Sequence, residues 1–333
     1  MLNIAQIGCG YWGPNLLRNL VANTGCNVKL VVDPSRERQN YIKSLYPAIK
    51  VTSNAQEVFE DPEVDAVVVA TPVKSHFELA VQMLENGKHV LVEKPMATSV
   101  EEVEQIGELA DKKSLVAMVG HTFLYNTAVR YVKQLIDSGE MGDIRYIYSQ
   151  RINLGRIRSD VDALWNLAPH DVSIIQYWLG DPEPVSISRM GMDYIQNGVE
   201  DVVFLNVVYP HNIMANIHVS WLDPHKVRQM TVVGSKKMVV YDDIAENKIA
   251  IFDKGIDRMA VLGENMDFDK PNDFQFNHRS GDVVLPKIGW QEPLKMEIAH
   301  FIDCIQNGTE CITGVEHAKK VVGILSRSKE SGQ

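Results

Sequence analysis

The chain has 333 residues, of which 45% are hydrophobic and 23% charged, and its net charge is −10. A length beyond one typical domain and an ordinary globular composition predict two domains with a full core. The acidic balance excludes a general binder of nucleic acid or anionic membrane, and no run approaches the about 18 apolar residues of a membrane span.

Leu2 to Ile7 is a short apolar strand. No basic region or cleavage site accompanies it, so no secretory signal is expected and a cytoplasmic location is. Gly8-Cys9-Gly10-Tyr11-Trp12-Gly13 follows at once, and Pro14 opens a helix in which Leu16, Leu17, Leu20 and Val21 recur with helical spacing. Val28 to Val32 is a second buried strand, ending at Asp33. Strand, GxGxxG, helix, strand and acid in this order form a dinucleotide-binding fingerprint. The glycines permit a tight turn and close approach of a pyrophosphate to a helix N-terminus, and the acid accepts hydrogen bonds from a ribose diol. Gly8, Gly10, Tyr11, Trp12, Gly13 and Asp33 are therefore cofactor-binding candidates. A carboxylate at Asp33 repels a 2′-phosphate and favours NAD, while Arg36 and Arg38 keep NADP as the alternative.

The alternation of strand and helix continues. A helix at Asn54 to Glu60, a strand at Ala66 to Thr71 and a helix at Ser75 to Asn86 are expected, the last closed by Gly87. Ser75 with Glu78, and Ser99 with Glu102, have the spacing of capping boxes. The strand His89 to Glu93 runs straight into Glu93-Lys94-Pro95, and Leu115 to Val119 supplies another strand. This series predicts a doubly wound parallel sheet, an α/β Rossmann domain over residues 1–121. Thr71-Pro72 and Glu93-Lys94-Pro95 end neighbouring strands at the carboxyl edge, where open α/β sheets bind ligands, which directs Lys94 to the nicotinamide end of the cofactor.

After Gly120-His121 the pattern changes. A helix from about Ala128 to Asp137 precedes an alternating strand, Ile144 to Ile152. Further strands are expected at Pro184 to Arg189, Val202 to Val208, Ile213 to Ser220, Val227 to Val233, Met238 to Tyr241 and Lys248 to Phe252. They predict an α+β domain over residues 122–333 with a large, mainly antiparallel open sheet. One helix interrupts the strands. It opens at Trp165-Asn166-Leu167-Ala168-Pro169-His170-Asp171, faces a core with Val172, Ile174, Ile175, Trp178 and Leu179, and stops at Gly180. His170 is expected in its first turn, where the helix dipole disfavours imidazolium and leaves a neutral general base. Asp171 is expected to stabilise the dipole. Residues 256–289 are poorly periodic and read as a long connection or arm. Two helices, about Glu292 to Asn307 and Val315 to Lys329, close the chain. Cys9, Cys26, Cys304 and Cys311 show no CxxC pair and no nearby His spacing suited to zinc, so reduced thiols and no metal site are expected.

These residues carry a resemblance. Over essentially its whole length the chain resembles the Gfo/Idh/MocA oxidoreductases, through Gly8-x-Gly10-x-x-Gly13, Ala70-Thr71-Pro72 with His76, Glu93-Lys94-Pro95, the His170-Asp171 helix and the Glu292-Pro293-Leu294 helix. The resemblance implies a Rossmann domain and a larger domain that binds substrate and mediates homodimers or homotetramers, with the closing helices packing back on the first domain. It implies a nicotinamide cofactor, contacted also by Thr71, Pro72, His76, Glu93 and Lys94, and a sugar, cyclitol or nucleotide-sugar carbinol as substrate. Lys94 would be the family's active-site lysine and His170 its active-site histidine. Where the common pattern has Asp four residues before that His, this chain has Asn166. An amide cannot shuttle a proton, so no Asp/His relay is available. UDP-sugar 3-dehydrogenases of the family are similar in tolerating Asn there. Gly10-Tyr11-Trp12-Gly13-Pro14-Asn15 and Val219-Ser220-Trp221-Leu222-Asp223-Pro224 also look like a subgroup of nucleotide-sugar biosynthesis.

The expected reaction moves a hydride between nicotinamide and a secondary alcohol of a sugar, foremost C3 of a UDP-N-acetylhexosamine or its uronate. His170 acts as base and Lys94, as ammonium, stabilises developing alkoxide charge. Asn166 orients substrate hydroxyls, and Arg156 and Arg158 meet a diphosphate. Tyr125, Asn126 and Arg151 complete the candidate substrate cleft. The alternative is a free-sugar, sugar-phosphate or inositol dehydrogenase of the same family. A non-catalytic NAD-binding sensor or scaffold is the alternative of another class, and it has no use for Lys94 and His170.

Overall fold

The computed structural model describes residues 1–155, 157–159, 161–260 and 274–330. In chain order, β1 (Leu2–Ile7), α1 (Gly13–Ala22), β2 (Cys26–Val32), α2 (Arg36–Leu45), β3 (Lys50–Thr52), α3 (Gln56–Phe59), β4 (Ala66–Val69), α4 (His76–Glu85), β5 (His89–Glu93), α5 (Val100–Lys113) and β6 (Ala117–Gly120) alternate regularly. Then come α6 (Thr127–Asp137), β7 (Ile144–Ile152), α7 (Ala163–Leu179), β8 (Ser186–Met192), β9 (Val202–Tyr209), β10 (Ile213–Ser220), β11 (Val227–Gly234), β12 (Met238–Asp242), β13 (Ile249–Ala260) and β14 (Phe274–Val284). Helices α8 (Pro293–Asn307) and α9 (Val315–Glu330) close the chain.

The chain forms two compact units: Met1–Thr127 with Leu164–Asp181 and Trp290–Gln333, and Ala128–Ala163 with Pro182–Gly289. These borders differ from a single cut at residue 121, because α7 and the two closing helices are part of the first unit's core.

In the first unit the sheet runs β3-β2-β1-β4-β5-β6, with every pair parallel. Strands buried on both faces explain the unbroken apolar runs; all four residues of β4, Ala66–Val69, are buried. The order reverses between β1 and β4, the switch point at which such sheets bind ligands beyond their carboxyl ends. Pro14 in the first turn of α1 and the buried stripe Leu16, Leu17 and Leu20 set that helix on the sheet. Ser99 caps α5, its hydroxyl accepting from the Glu102 N–H, and Glu102 answers by accepting from the N–H and hydroxyl of Thr98. The box expected at Ser75 does not form. Residues Val73–Ser75 wind into a tight turn before α4, and the Ser75 hydroxyl donates instead to Thr71 Oγ1 and the Pro72 carbonyl.

In the second unit eight strands run β14-β13-β12-β11-β7-β10-β9-β8, and only β7 with β10 is parallel. One buried face and one wetter face account for the period-two pattern of β9. The β9–β10 hairpin turns through His211 and Asn212, both with positive φ, the geometry that suits the strand twist.

Candidate active site

The glycine loop is shaped by what it lacks. Gly8 has φ +92°, and a Cβ there would lie 2.4 Å from the Ala70 carbonyl oxygen, so β1 and β4 end against each other without side chains between. A Cβ on Gly13 would lie 2.7 Å from the Gly8 carbonyl oxygen, whereas one on Gly10 would meet nothing within 4 Å. The loop is closed on its protein side and open at Gly10, just before the N-terminus of α1. This fits a group with a pyrophosphate, as the backbone can approach it there.

Gln6 holds the loop in this shape. It is fully buried in β1, and its Nε2 donates to the carbonyls of Gly8 at 2.8 Å and Gly13 at 3.0 Å. A polar residue in the apolar strand Leu2–Ile7 was the signal for it in the sequence. Asp33 ends β2, its Oδ2 accepting from the Cys9 N–H at 2.7 Å and its Oδ1 from the Ser35 N–H at 2.9 Å. Burial and the Asp33 charge push the Cys9 thiol up to about 11, opposed by the Arg38 guanidinium. Arg38 therefore stands near the glycine loop, while Arg36 is exposed. Tyr11 and Trp12 lie at the surface of the loop. The Trp12 side chain lies close enough to the Glu93 carboxyl to lower its pKa, linking the loop to the end of β5.

His76 ties the ends of β4 and β5 together. It is 1% exposed, with Nδ1 2.8 Å from the Pro95 carbonyl and Nε2 2.8 Å from the Thr71 carbonyl. Burial pushes its pKa below the ordinary value, against both of those bonds. Lys94 follows, half-buried, and its Nζ donates to the main-chain carbonyl of Asn166 at 2.8 Å. Asn166 and His170 are both half-buried and one turn apart on α7. The His170 ring meets Phe123 edge-on at 5.0 Å, and its carbonyl accepts from the Ser173 hydroxyl.

His170 is not in a first turn. Helix α7 starts at Ala163 and carries Pro169 in its interior, so His170 is preceded by two turns of helix. Burial of Ala163, Leu164, Trp165 and Ala168 sustains those turns against the about 3 kcal/mol that an interior Pro costs. The dipole argument for a neutral His170, and the similar role for Asp171, fall with that position; Asp171 is instead buried.

Behind Lys94 lies a buried polar group that sequence reasoning missed. Glu297 of α8 is fully buried, with Oε2 accepting from the Thr122 hydroxyl at 3.0 Å and Oε1 without a hydrogen-bond partner among the described residues. Burial and the neighbouring Glu93 carboxyl hold its pKa well above the carboxylate range. Burial likewise pushes Glu93 up to about 7, against the Lys94 ammonium, the Lys94 N–H and Trp12. His121, 1% exposed, meets the His317 ring edge-on at 5.4 Å, and His317 Nδ1 lies 3.2 Å from Asp181 Oδ1. Burial, His317 and Lys94 all push His121 well below its ordinary pKa. Glu297 was legible in principle: it interrupts the apolar stripe Leu294, Ile298 and Phe301.

The other expected cleft residues have the following surroundings. Tyr125 is 1% exposed, its hydroxyl 3.0 Å from Thr313 Oγ1, so its side chain is packed in the core of the first unit. The aromatic ring belongs to the packing of the turn Thr122–Tyr125. Arg151 is buried on β7 of the second unit, between Val219 of β10 and Arg228 of β11. Arg158 is half-buried in that unit and its carbonyl accepts from Gln196 Nε2. Arg156 lies outside the described residues.

Residues 2–121 match the model of an oxidoreductase family with an NAD-binding Rossmann fold, and residues 129–240 match the GFO/IDH/MocA C-terminal domain. The chain is 26% identical over 328 residues to a scyllo-inositol 2-dehydrogenase (NAD(+)) of Bacillus subtilis, covering 94% of this chain and 89% of that one. It is 27% identical over 194 residues to a UDP-N-acetylglucosamine 3-dehydrogenase of Acidithiobacillus ferrooxidans, covering 58% and 60%. The solved structure of a UDP-N-acetylglucosamine 3-dehydrogenase from the same organism superposes with a TM-score of 0.81 at 20% identity, over 99% of this chain and 97% of that one, a likeness of fold. With its dinucleotide loop and both domain types accounted for, the chain belongs to the Gfo/Idh/MocA oxidoreductase family.

Proposed function

We propose that the chain oxidises a secondary alcohol of a nucleotide sugar, at C3 of a UDP-N-acetylhexosamine or its uronate, with NAD as acceptor. The observation that carries this reading is the bond from Lys94 Nζ to the Asn166 carbonyl, one helical turn before His170. It brings a cation and an imidazole to the carboxyl edge of the Rossmann sheet. Bound nicotinamide supplies hydride acceptance there. Gly8, Gly10, Gly13 and the N-terminus of α1 would hold the pyrophosphate, and Asp33 with Thr71 and Pro72 the adjoining ribose and base. His170 takes the hydroxyl proton as the carbinol hydrogen leaves. Lys94 donates to the same oxygen and stabilises its developing negative charge, a charge already held in place by Asn166. Asn166 offers its amide to a substrate hydroxyl and moves no proton.

The preference for NAD rests on the Asp33 carboxylate, and Arg38 beside the glycine loop favours NADP as the competing choice. The ratio of kcat/KM for the two cofactors decides it, and a ratio in favour of NADP refutes the Asp33 argument. We assign assembly into a homodimer or homotetramer to the second unit, whose sheet leaves Tyr146, Met190, Phe204 and Met214 exposed; light scattering reads the subunit count.

A second reading is favoured by one observation: the inositol dehydrogenase relative aligns over nearly the whole chain. On that reading the substrate is a cyclitol, a free sugar or a sugar phosphate. Turnover of NAD with UDP-N-acetylglucosamine, scyllo-inositol, myo-inositol and glucose 6-phosphate separates the two. Turnover confined to the cyclitols would overturn the nucleotide-sugar reading.

A further inference from the structure

Helix α8 carries His300 and Cys304 one turn apart, and the loop after it returns Cys311 to the same face. The three ligand atoms, one ring nitrogen and two sulfurs, lie within 4.8 Å of one another. His300 Nε2 is 3.4 Å from Cys304 Sγ, and the Cys311 thiol faces that of Cys304 within the same 4.8 Å. Tetrahedral zinc, with Zn–S near 2.3 Å and Zn–N near 2.05 Å, requires N···S and S···S separations of about 3.6 and 3.8 Å. The cluster is thus within about an ångström of a ligand set.

We propose that His300, Cys304 and Cys311 form a binding site for a thiophilic divalent cation, with zinc the favoured ion. Two sulfurs and an imidazole select zinc over magnesium or calcium, which take oxygen ligands. Cys304 is buried, while His300 and Cys311 are half-buried, so a fourth position is open to water from the outer side. Binding deprotonates both thiols and releases two protons to solvent, and the dithiolate neutralises the ion. The Ile312 N–H donates to His300 Nε2 at 3.1 Å, and the ion takes the place of that donor at the ring nitrogen.

Such an ion clips the loop 308–314 to α8. That loop is already stitched to β6: the Val119 N–H donates to the Thr313 carbonyl at 2.9 Å, and Gly314 bridges Met118. Thr313 also meets the Tyr125 hydroxyl, and the Tyr125 ring packs on His300 at 5.5 Å. The site is therefore structural, bracing the strand end that leads into Thr122 and the Glu297 pocket. The expectation of no suitable His spacing overlooked the helical pair His300 and Cys304, and only the fold brings Cys311 to it.

The test is a titration of the full-length, reduced, metal-stripped protein with cobalt(II) under argon. The proposal expects saturation at one equivalent, with a thiolate-to-cobalt charge-transfer band and the intense visible absorption of a tetrahedral ion, both bleached by zinc. Cys304→Ser and Cys311→Ser should lose the charge-transfer intensity, and Cys26→Ser should keep it. In the wild type, zinc should protect two thiols from a disulfide reagent, a readout that stands even if the serine variants fold poorly. Absence of the charge-transfer band at one equivalent would overturn the site. So would an unchanged band in both folded variants, or protection of fewer than two thiols.

Discussion

Lys94 Nζ donates to the main-chain carbonyl of Asn166 at 2.8 Å, so the end of β5 is bonded to the backbone of α7 one turn before His170. Because the acceptor is a carbonyl, this contact does not depend on the Asn166 side chain. The ammonium is thereby held in place before any substrate arrives, as preorganised charge stabilisation requires. Lys94→Ala should lower turnover by about 10³-fold while the dissociation constant for NAD stays near that of the wild type. Lys94→Arg keeps the charge but not the compact point donor, and should recover little of the loss. Steady-state kinetics beside a cofactor titration checks both, and near-normal turnover of Lys94→Ala would remove the lysine from the mechanism.

The three loop glycines should separate experimentally. A methyl at Gly8 meets the Ala70 carbonyl at 2.4 Å in a backbone with φ +92°, so Gly8→Ala should destabilise the fold itself, by about 1–2 kcal/mol or more. A methyl at Gly10 meets nothing within 4 Å, so Gly10→Ala should leave the denaturation midpoint unchanged. It should still weaken NAD binding by about tenfold or more, about 1.4 kcal/mol, because the methyl occupies the approach of the pyrophosphate. Chemical denaturation without cofactor, followed by calorimetric titration, distinguishes a packing glycine from a docking one.

How much of this could be read from residues alone follows from how local each feature is. The glycine loop, Asp33 and the strand end at Glu93-Lys94-Pro95 were legible because their determinants are contiguous. The helix carrying His170 was legible but its start was not, since the burial of Ala163, Leu164 and Trp165 outweighs the helix-breaking signal of Pro169. The burial of Tyr125 was not legible, because nothing adjacent announces that Thr313, far along the chain, meets its hydroxyl. Glu297 was not singled out, because its partners Thr122 and Glu93 come from other elements. The antiparallel character of the second sheet was visible in the alternation of its strands. Its order was not, because the parallel pairing of β7 with β10 spans a helix and two strands.

The carboxyls Glu93 and Glu297 should make the cofactor-free protein less stable as pH rises. Both have folded pKa values raised above the ordinary 4.5, Glu93 to about 7 and Glu297 well above the carboxylate range, so between 4.5 and those values the folded state binds more protons than the unfolded one. Stability from this pair is therefore complete below pH 4.5 and is lost as pH rises through about 7 for Glu93 and through the raised value of Glu297. Buried His121 and His76 act on the other flank, since their lowered values favour unfolding as pH falls below 6.5. Glu297→Gln keeps the shape and the Thr122 partner without the ionisable proton. Its melting temperature should fall less than that of the wild type as pH rises above 4.5. Parallel pH slopes for the two proteins would mean that Glu297 is not the titrating group.

The last prediction concerns His170 and separates a base from a packing residue. Its ring already makes an edge contact with Phe123 at 5.0 Å, so some loss on substitution could come from packing alone. His170→Gln retains a hydrogen-bonding side chain of similar reach but cannot take a proton near neutral pH. If His170 is the base, turnover in the oxidising direction should fall by about 10²–10⁴-fold, with NAD affinity and melting temperature close to wild type. The pH profile carries the discrimination. A base must be unprotonated, so wild-type kcat/KM should decline toward acid on the limb set by His170, and that limb should flatten in His170→Gln. A uniform loss that leaves the acid limb in place would reduce His170 to positioning and pass the proton to another group. Asn166 cannot be that group, because its amide does not titrate, which leaves Lys94 as the side chain to examine next.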